Sequence, residues 1–265
     1  MKNPKVLVLR TAGTNCDKET KFAFESVGAD AELVHINEIV AGDKKISNYH
    51  ILAFPGGFSY GDDLGAGKIL ANELRFKLRK ELGRFLECGK LIIGICNGFQ
   101  ILTRAGLLPG YNRFNQEASL ILNDSAKFED RWTYLKVESP KSKAQSCVWT
   151  QNLPDVIYLP VAHGEGKFYV EDLNTLEKLK INNQVVFKYS NEDGKLTGYP
   201  DNPNGSMENI AGICDESGLI LGLMPHPERH ISFNQHPHWT RLPKKDYGNG
   251  VLIFRNGVEY AKKNL

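Results

Sequence analysis

Gly94-Ile95-Cys96-Asn97-Gly98-Phe99-Gln100 is the stretch on which the reading of this chain turns. The apolar run Leu91-Ile92-Ile93 before it predicts a buried strand, and Phe99-Gln100-Ile101-Leu102 predicts the start of a helix. A cysteine is thereby fixed at a sharp strand-to-helix turn, with a glycine two residues to either side. That is the cysteine form of a nucleophile elbow. The glycines suit it because a Cβ at either place would press on neighbouring backbone in so tight a turn. A helix opening just beyond the sulfur directs N–H groups and the positive end of its dipole toward it, which favours a reactive thiolate. The same residues also fit a buried, inert cysteine in a strand–loop–helix unit, so the chemistry needs partners elsewhere in the chain.

Toward the N-terminus, residues 5–9, 31–36 and 50–54 read as strands. Residues 18–27 and 69–87 carry apolar side chains at helical intervals among charges. Strands alternating with helices predict right-handed βαβ units and a parallel sheet covered on both faces. Ligands of such sheets bind at the carboxyl ends of the strands. The loops after the first, third and fourth strands carry the unusual residues: Gly13-Thr14-Asn15-Cys16-Asp17, Pro55-Gly56-Gly57 and the elbow. Beyond the elbow, short strands are predicted at 118–122, 132–137, 156–161, 168–170, 185–189, 210–214 and 219–224. The last two are joined by the hairpin turn Asp215-Glu216-Ser217-Gly218, and a helix over 247–263 closes the chain. The expected fold is α/β, with three layers, a mostly parallel central sheet and an additional antiparallel strand region in the second half. No repeat or linker interrupts the pattern, so residues 1–265 read as a single domain.

Bulk properties narrow the function. The chain has 265 residues and a formal net charge of +2, with 41% hydrophobic and 24% charged residues. That balance gives no reason to expect nucleic acid or an acidic membrane surface as a partner. No apolar run reaches membrane-spanning length, and no signal peptide is visible. Five scattered cysteines without a Cys-x-x-Cys pair argue against a disulfide framework, and a cytoplasmic location is expected.

A cysteine nucleophile needs a base, a group that orients the base, and donors for the oxyanion. The strand-like Leu221-Gly222-Leu223-Met224 runs into Pro225-His226-Pro227-Glu228. The two prolines restrict the backbone around His226, and Glu228 is placed to reach the far imidazole nitrogen and fix the tautomer. The backbone N–H groups of Gly57 and Asn97 are the candidate oxyanion donors. His226, His230, His236 and His238 lie close together in the sequence and raise the alternative of a metal site. Pro227 opposes a continuous helix between His226 and His230, no cysteine is nearby, and no metal is expected.

Pro55-Gly56-Gly57, the elbow and Pro225-His226-Pro227-Glu228 together resemble the class I (triad) glutamine amidotransferases, and imply their flavodoxin-like fold. The finer resemblance is to the glutaminase subunits of phosphoribosylformylglycinamidine synthase. It rests on Gly13-Thr14-Asn15-Cys16-Asp17, on residues 55–62 (PGGFSYGD), on Asn97 and Phe99 of the elbow, and on residues 160–166 (PVAHGEG). It covers most of the chain and is weakest over 112–152 and beyond Arg229.

The resemblance implies that Cys96 attacks the side-chain amide of L-glutamine and forms a glutamyl thioester. His226 would relay the proton to departing ammonia, Glu228 would orient His226, and Gly57 and Asn97 would hold the oxyanion. Phe58, Gln100, His163, Gly164 and Glu165 would bind the substrate, with Phe58 over its aliphatic stem and Glu165 at its α-amino end. The chain has no Walker-type phosphate loop, so no cofactor is expected in it. ATP and Mg belong, on the same resemblance, to a larger synthetase subunit, helped by a small third subunit, that makes formylglycinamidine ribonucleotide for purine synthesis. Asn15, Asp17, Asp62 and Asp63 are the candidate docking face or ammonia exit, and 233–239 is expected over the pocket rim or the partner. Similar triads serve the histidine, pyridoxal phosphate and guanylate pathways, so another acceptor stays open, as does a regulatory subunit with an idle pocket.

Overall fold

A computed structural model describes residues 3–138 and 147–265. One nine-stranded sheet runs through both halves of the sequence, in the order β2-β1-β3-β4-β11-β10-β9-β6-β7. Its first half is β1 (Lys5–Arg10), β2 (Asp30–His35), β3 (Ile51–Phe54) and β4 (Leu91–Ile95), all mutually parallel. β11 (Ile220–Leu223) adds to β4, also parallel. The remaining pairings, with β10 (Ile210–Cys214), β9 (Val185–Ser190), β6 (Glu129–Val137) and β7 (Val156–His163), are antiparallel. β10 and β6 run against the other seven strands, so the sheet is mostly parallel with an antiparallel extension. A small separate pair joins β5 (Ser119–Ile121) to β8 (Lys167–Tyr169).

Burial explains the pattern. Every residue of β3, β4, β10 and β11 is buried, as expected for central strands covered on both faces. β7 alternates half-buried and buried residues, the signature of an outer strand with one wet face. On one side α1 (Asp17–Ser26) packs against α7 (Val251–Asn264), where the rings of Phe24 and Phe254 meet edge-on at 4.9 Å. α3 (Lys68–Lys77) packs against α5 (Asn97–Arg104), the helix that follows the elbow.

The structure departs from the sequence reading in three places. The helix expected over 69–87 is two, α3 and α4 (Arg79–Glu87), because Leu78 leaves helical geometry at φ −114°, ψ 7°. Leu74, Leu78 and Leu82 stay buried across the bend, so the apolar stripe that predicted one helix continues through it. Two further helices, α2 (Ile36–Ala41) and α6 (Leu173–Ile181), were not expected. Of the two places expected for residues 233–239, the pocket rim and the partner, the structure departs from the first: the segment lies against the outer strands. The His236 ring sits 5.8 Å from that of Trp132 and 5.2 Å from that of Tyr158. Among the described residues no helix is long and apolar enough to cross a membrane.

Candidate active site

Neighbouring strands bring the distant parts of the site together. β4 and β11 pair in register up to Ile95 and Leu223. The N–H of Cys96 donates to the carbonyl of Leu223 at 2.8 Å, so the elbow and the segment leading to His226 leave the sheet side by side. β3 flanks β4 on its other edge and delivers Gly57. His226 is fastened from a third side, its N–H donating to the carbonyl of Pro160 in β7 at 2.8 Å.

Cys96 stands at φ 52°, ψ −107°, a conformation non-glycine residues rarely adopt and one that elbows impose on their nucleophile. The strain is held by close packing: a Cβ on Gly98 would lie 2.0 Å from the carbonyl oxygen of Phe54. Cys96 is 5% exposed, and its S–H donates to the carbonyl of Ala162 at 3.6 Å.

His226 and Glu228 form a buried pair, with Nδ1–H donating to Oε1 at 2.6 Å. Nε2 has no hydrogen-bond partner, which leaves this nitrogen available to a proton in transit. Burial opposes a charge on the ring. The Glu228 carboxylate and then the Cys96 sulfur outweigh it and raise His226 well above the ordinary histidine range. The arrangement therefore favours an imidazolium with the Glu228 carboxylate behind it.

A cavity of about 240 Å³ opens over Cys96. It is lined by Gly57, Phe58, Gln100, His163, Gly164 and Glu165, all expected from the sequence, and by Asp62, Ala66, Leu122, Phe128 and Ala162, which were not assigned to it. Its size is below the ~300–1,000 Å³ of pockets for drug-sized ligands and suits a single amino acid. Phe58 is 46% exposed with its ring 6.4 Å from that of Phe128, the position of a cover rather than a core residue. A larger groove beside β2, lined by Lys5, Glu32, Lys44 and Tyr49, lies at the amino ends of β1 and β2, away from Cys96.

Several side chains brace the wall opposite the elbow. The Gln100 amide is engaged at both ends: Nε2 donates to the backbone carbonyl of Glu165 at 2.7 Å, and Oε1 accepts from Asn97 at 2.9 Å. Asn97 also donates to Asp62 at 3.1 Å, a carboxyl that burial pushes above its ordinary range. The Glu165 carboxylate sits 3.4 Å from Arg104. Burial, and then the charge on His226, lower His163 to about 4, so this ring is neutral. Asn123 accepts from His163 Nδ1 at 3.1 Å and from the Gly166 N–H at 3.0 Å, and Asn204 approaches His163 Nε2 at 3.4 Å.

Of the candidate docking residues, Asn15 and Asp63 are exposed. Asp17 is buried and paired with Arg10 at 3.3 Å, and Asp62 is committed to Asn97 and to the N–H of Gly67. Two of the four carboxylate and amide groups therefore face inward, because the loops that carry them need their own N–H groups and cations satisfied. The four-histidine set does not assemble. The one group of three metal-capable side chains among the described residues is Cys16, His226 and Glu228, whose ligand atoms lie within 4.8 Å of one another. The Arg229 guanidinium, 3.2 Å from the Cys16 sulfur, opposes a cation there. Cys16 and Arg229 were not expected at the site. The only signal in the sequence is their place within Gly13–Asp17 and next to Glu228.

Residues 3–261 match the CobB/CobQ-like glutamine amidotransferase domain. The chain is 52% identical over 264 residues to the phosphoribosylformylglycinamidine synthase subunit PurQ of Dehalococcoides mccartyi, covering 99% of this chain and 100% of that one. It is 43% identical to the PurQ subunit of Methanococcus maripaludis, covering 98% of each. A chain in the structure of PurLQS from Thermotoga maritima superposes with a TM-score of 0.73 at 32% identity, covering 97% of this chain and 99% of that one. The chain therefore belongs to the PurQ family, the glutamine amidotransferase subunits of phosphoribosylformylglycinamidine synthase.

Proposed function

We propose that this chain, as one domain, hydrolyses L-glutamine to glutamate and ammonia at Cys96 and passes the ammonia to an ATP-dependent synthetase subunit. The observation that carries the reading is the strained Cys96 that follows β4 beside the buried His226–Glu228 pair that follows β11. The Cys96 thiolate attacks the side-chain amide carbon, and the oxyanion is received by the N–H groups of Gly57 and Asn97. Such a donor is worth about 10²–10³ in rate. Imidazolium Nε2 gives its proton to the leaving nitrogen, ammonia departs, and a thioester remains. Neutral His226 then takes a proton from water, whose oxygen attacks the thioester carbon; the C–S bond breaks, glutamate leaves, and the Cys96 thiolate and His226 imidazolium are restored. Glu228 stabilises the charged ring in both halves of the cycle.

Phe58, Gly164, Glu165 and the braced Gln100 and His163 form the substrate subsite. The synthetase supplies ATP and Mg chemistry and, with a small third subunit, converts the formylglycinamide ribonucleotide to its amidine in the cytoplasm. The matched Thermotoga maritima chain comes from a structure of PurLQS, in keeping with a synthetase partner. The test is labelling with a glutamine-like chloroketone. One equivalent on Cys96, blocked by glutamine and absent from Cys96→Ala, supports the reading. Hydrolysis that persists in Cys96→Ala overturns it.

A further inference from the structure

The site holds a second buried sulfur that the mechanism above does not use. Cys16, the residue before α1, is 1% exposed, and its Sγ lies 4.0 Å from His226 Nδ1. Its S–H donates to Asn15 Oδ1 at 3.2 Å, and its sulfur accepts from Arg229 Nη2 at 3.2 Å. The backbone around it is tied down. The Cys16 N–H donates to the carbonyl of Gly56 at 3.2 Å, and its own carbonyl accepts from both the N–H and the hydroxyl of Thr20. Arg229 is fixed in turn, with Nε donating to Glu19 of α1 at 3.1 Å. Gly56 closes the remaining side: a Cβ there would lie 2.7 Å from His226 Cε1 and 3.2 Å from the Cys16 sulfur.

The ring is therefore enclosed by the Gly56 backbone, the Glu228 carboxylate and a thiol held rigidly at the start of a helix. Resting on the triad reading, we propose that Cys16 is a positioning residue for His226. Its sulfur fills the space beside Nδ1, and through Arg229 it ties the turn carrying Glu228 to α1. The ring is thus held in the plane in which Nδ1 serves Glu228 and Nε2 stays free of protein partners. Burial raises the Cys16 thiol above its ordinary range, so the neutral S–H form performs this task without adding a second anion beside Glu228. The ionisable groups acting on His226 are Glu228, Cys96, Cys16 and His163, and Arg229 acts on Cys16 and Glu228 beside it.

A positioning role acts on the chemical step and not on substrate affinity. In the full chain assayed with its synthetase subunit, Cys16→Ala is expected to lower kcat for glutamine hydrolysis ~10-fold, less than the ~10²–10⁴-fold that a general acid–base supplies, because the base is misaligned and not lost, with KM unchanged. The acid and alkaline limbs of the kcat profile move with it. Cys16→Ser, which keeps a small polar group in place, restores most of the rate. A kcat within a factor of ~2 of the parent in Cys16→Ala overturns the proposal, and so does a loss confined to KM. If the alanine variant does not fold, Arg229→Gln replaces it, with the same expected kcat loss and the same overturning results. Cys96→Ala is run alongside. Hydrolysis surviving in that control brings down the triad reading, whereas an unaffected Cys16 variant beside a dead Cys96 variant brings down this inference only.

Discussion

Cys96 and His163 stand at the ends of two strands of the same sheet, and they are held there by different means. In the parallel half, Cys96 and the residues leading to His226 leave paired strands directly, and the geometry is set by backbone. A strained φ at Cys96, a close approach of Gly98 to Phe54 and the ladder between β4 and β11 do the work. In the antiparallel half, His163 at the end of β7 and the loop Gly164-Glu165 after it are held by side-chain amides, from Asn123, Asn204 and Gln100. Backbone geometry that is fixed by packing changes only at high cost. A wall held by individual hydrogen bonds yields to single substitutions. On the proposed mechanism the rigid half carries the chemistry, and the adjustable one, with Phe58 and Gln100, the selection of substrate.

The largest effect expected from this division is on Glu228. Glu228→Gln keeps the size of the side chain and a hydrogen-bond acceptor but removes the charge that stabilises the His226 imidazolium. The expected loss in kcat is ~10²–10⁴-fold, by analogy with neutralising the acid of a serine triad, with little change in KM. Steady-state kinetics of glutamine hydrolysis measure it. A pure KM effect would erase the distinction between the two halves.

Next in size is a pH effect in the adjustable half. The unfolded chain takes up a proton on the residue 163 imidazole as pH falls through the ordinary 6.5, but the folded chain does not until about 4. Between those values the unfolded state binds more protons, so stability declines on acidification across this window. Below it the penalty is complete, at ~3 kcal/mol. Urea unfolding of the parent chain and His163→Gln from pH 7 to pH 4 is the measurement. The variant is expected to lose less stability over that interval, and identical slopes would mean that His163 is protonated in the native state.

The legible and illegible parts of the molecule follow the same line. The strained turn at Cys96, the His226–Glu228 contact and the place of Gly57 on the cavity wall were readable because each depends on particular residues at short spacing beside apolar strands. The kink at Leu78 was not, since the leucine stripe is continuous through it. Helix α2 escaped because its N-cap is His35, which accepts from the N–H of Asn37, outside the usual Ser, Thr, Asp or Asn signal. Helix α6 did carry that signal in Asp172, which accepts from the N–H of Asn174 at 3.0 Å, with Leu173, Leu176 and Leu179 after it. The Asn123 and Asn204 braces and the contact of Cys16 with His226 are products of tertiary approach between loops, for which no periodicity exists to be read.

A pair of glycines sharpens the comparison further. A Cβ at Gly98 would meet the carbonyl of Phe54 at 2.0 Å, and backbone cannot rotate away. At Gly164 the one neighbour within reach is the edge of the Phe128 ring at 3.9 Å, an ordinary contact. Gly98→Ala is expected to cost at least ~1–3 kcal/mol, the scale of overpacking a tight core. Gly164→Ala stays within about 0.5 kcal/mol, as for surface changes without a special conformation. Denaturant midpoints decide it, and equal costs would show that the loop after β7 is as tightly determined as the elbow.

The smallest expected effect is at Glu165, and it separates two uses of one carboxylate. Its partner Arg104 lies 3.4 Å away, with both side chains partly exposed, at 28% for Glu165 and 21% for Arg104. A pair in that setting contributes at most about 1 kcal/mol to stability. If the carboxylate also receives the ammonium of glutamine, Glu165→Gln raises KM ~10-fold while kcat stays within a factor of ~2, because uniform binding is lost without touching the transition state. The melting temperature moves little, since the backbone carbonyl of Glu165 that Gln100 holds is retained. A fall in kcat at unchanged KM would place this wall inside the chemical step. The contrast between a backbone-fixed half that reacts and an amide-braced half that selects would then fail at its most exposed point.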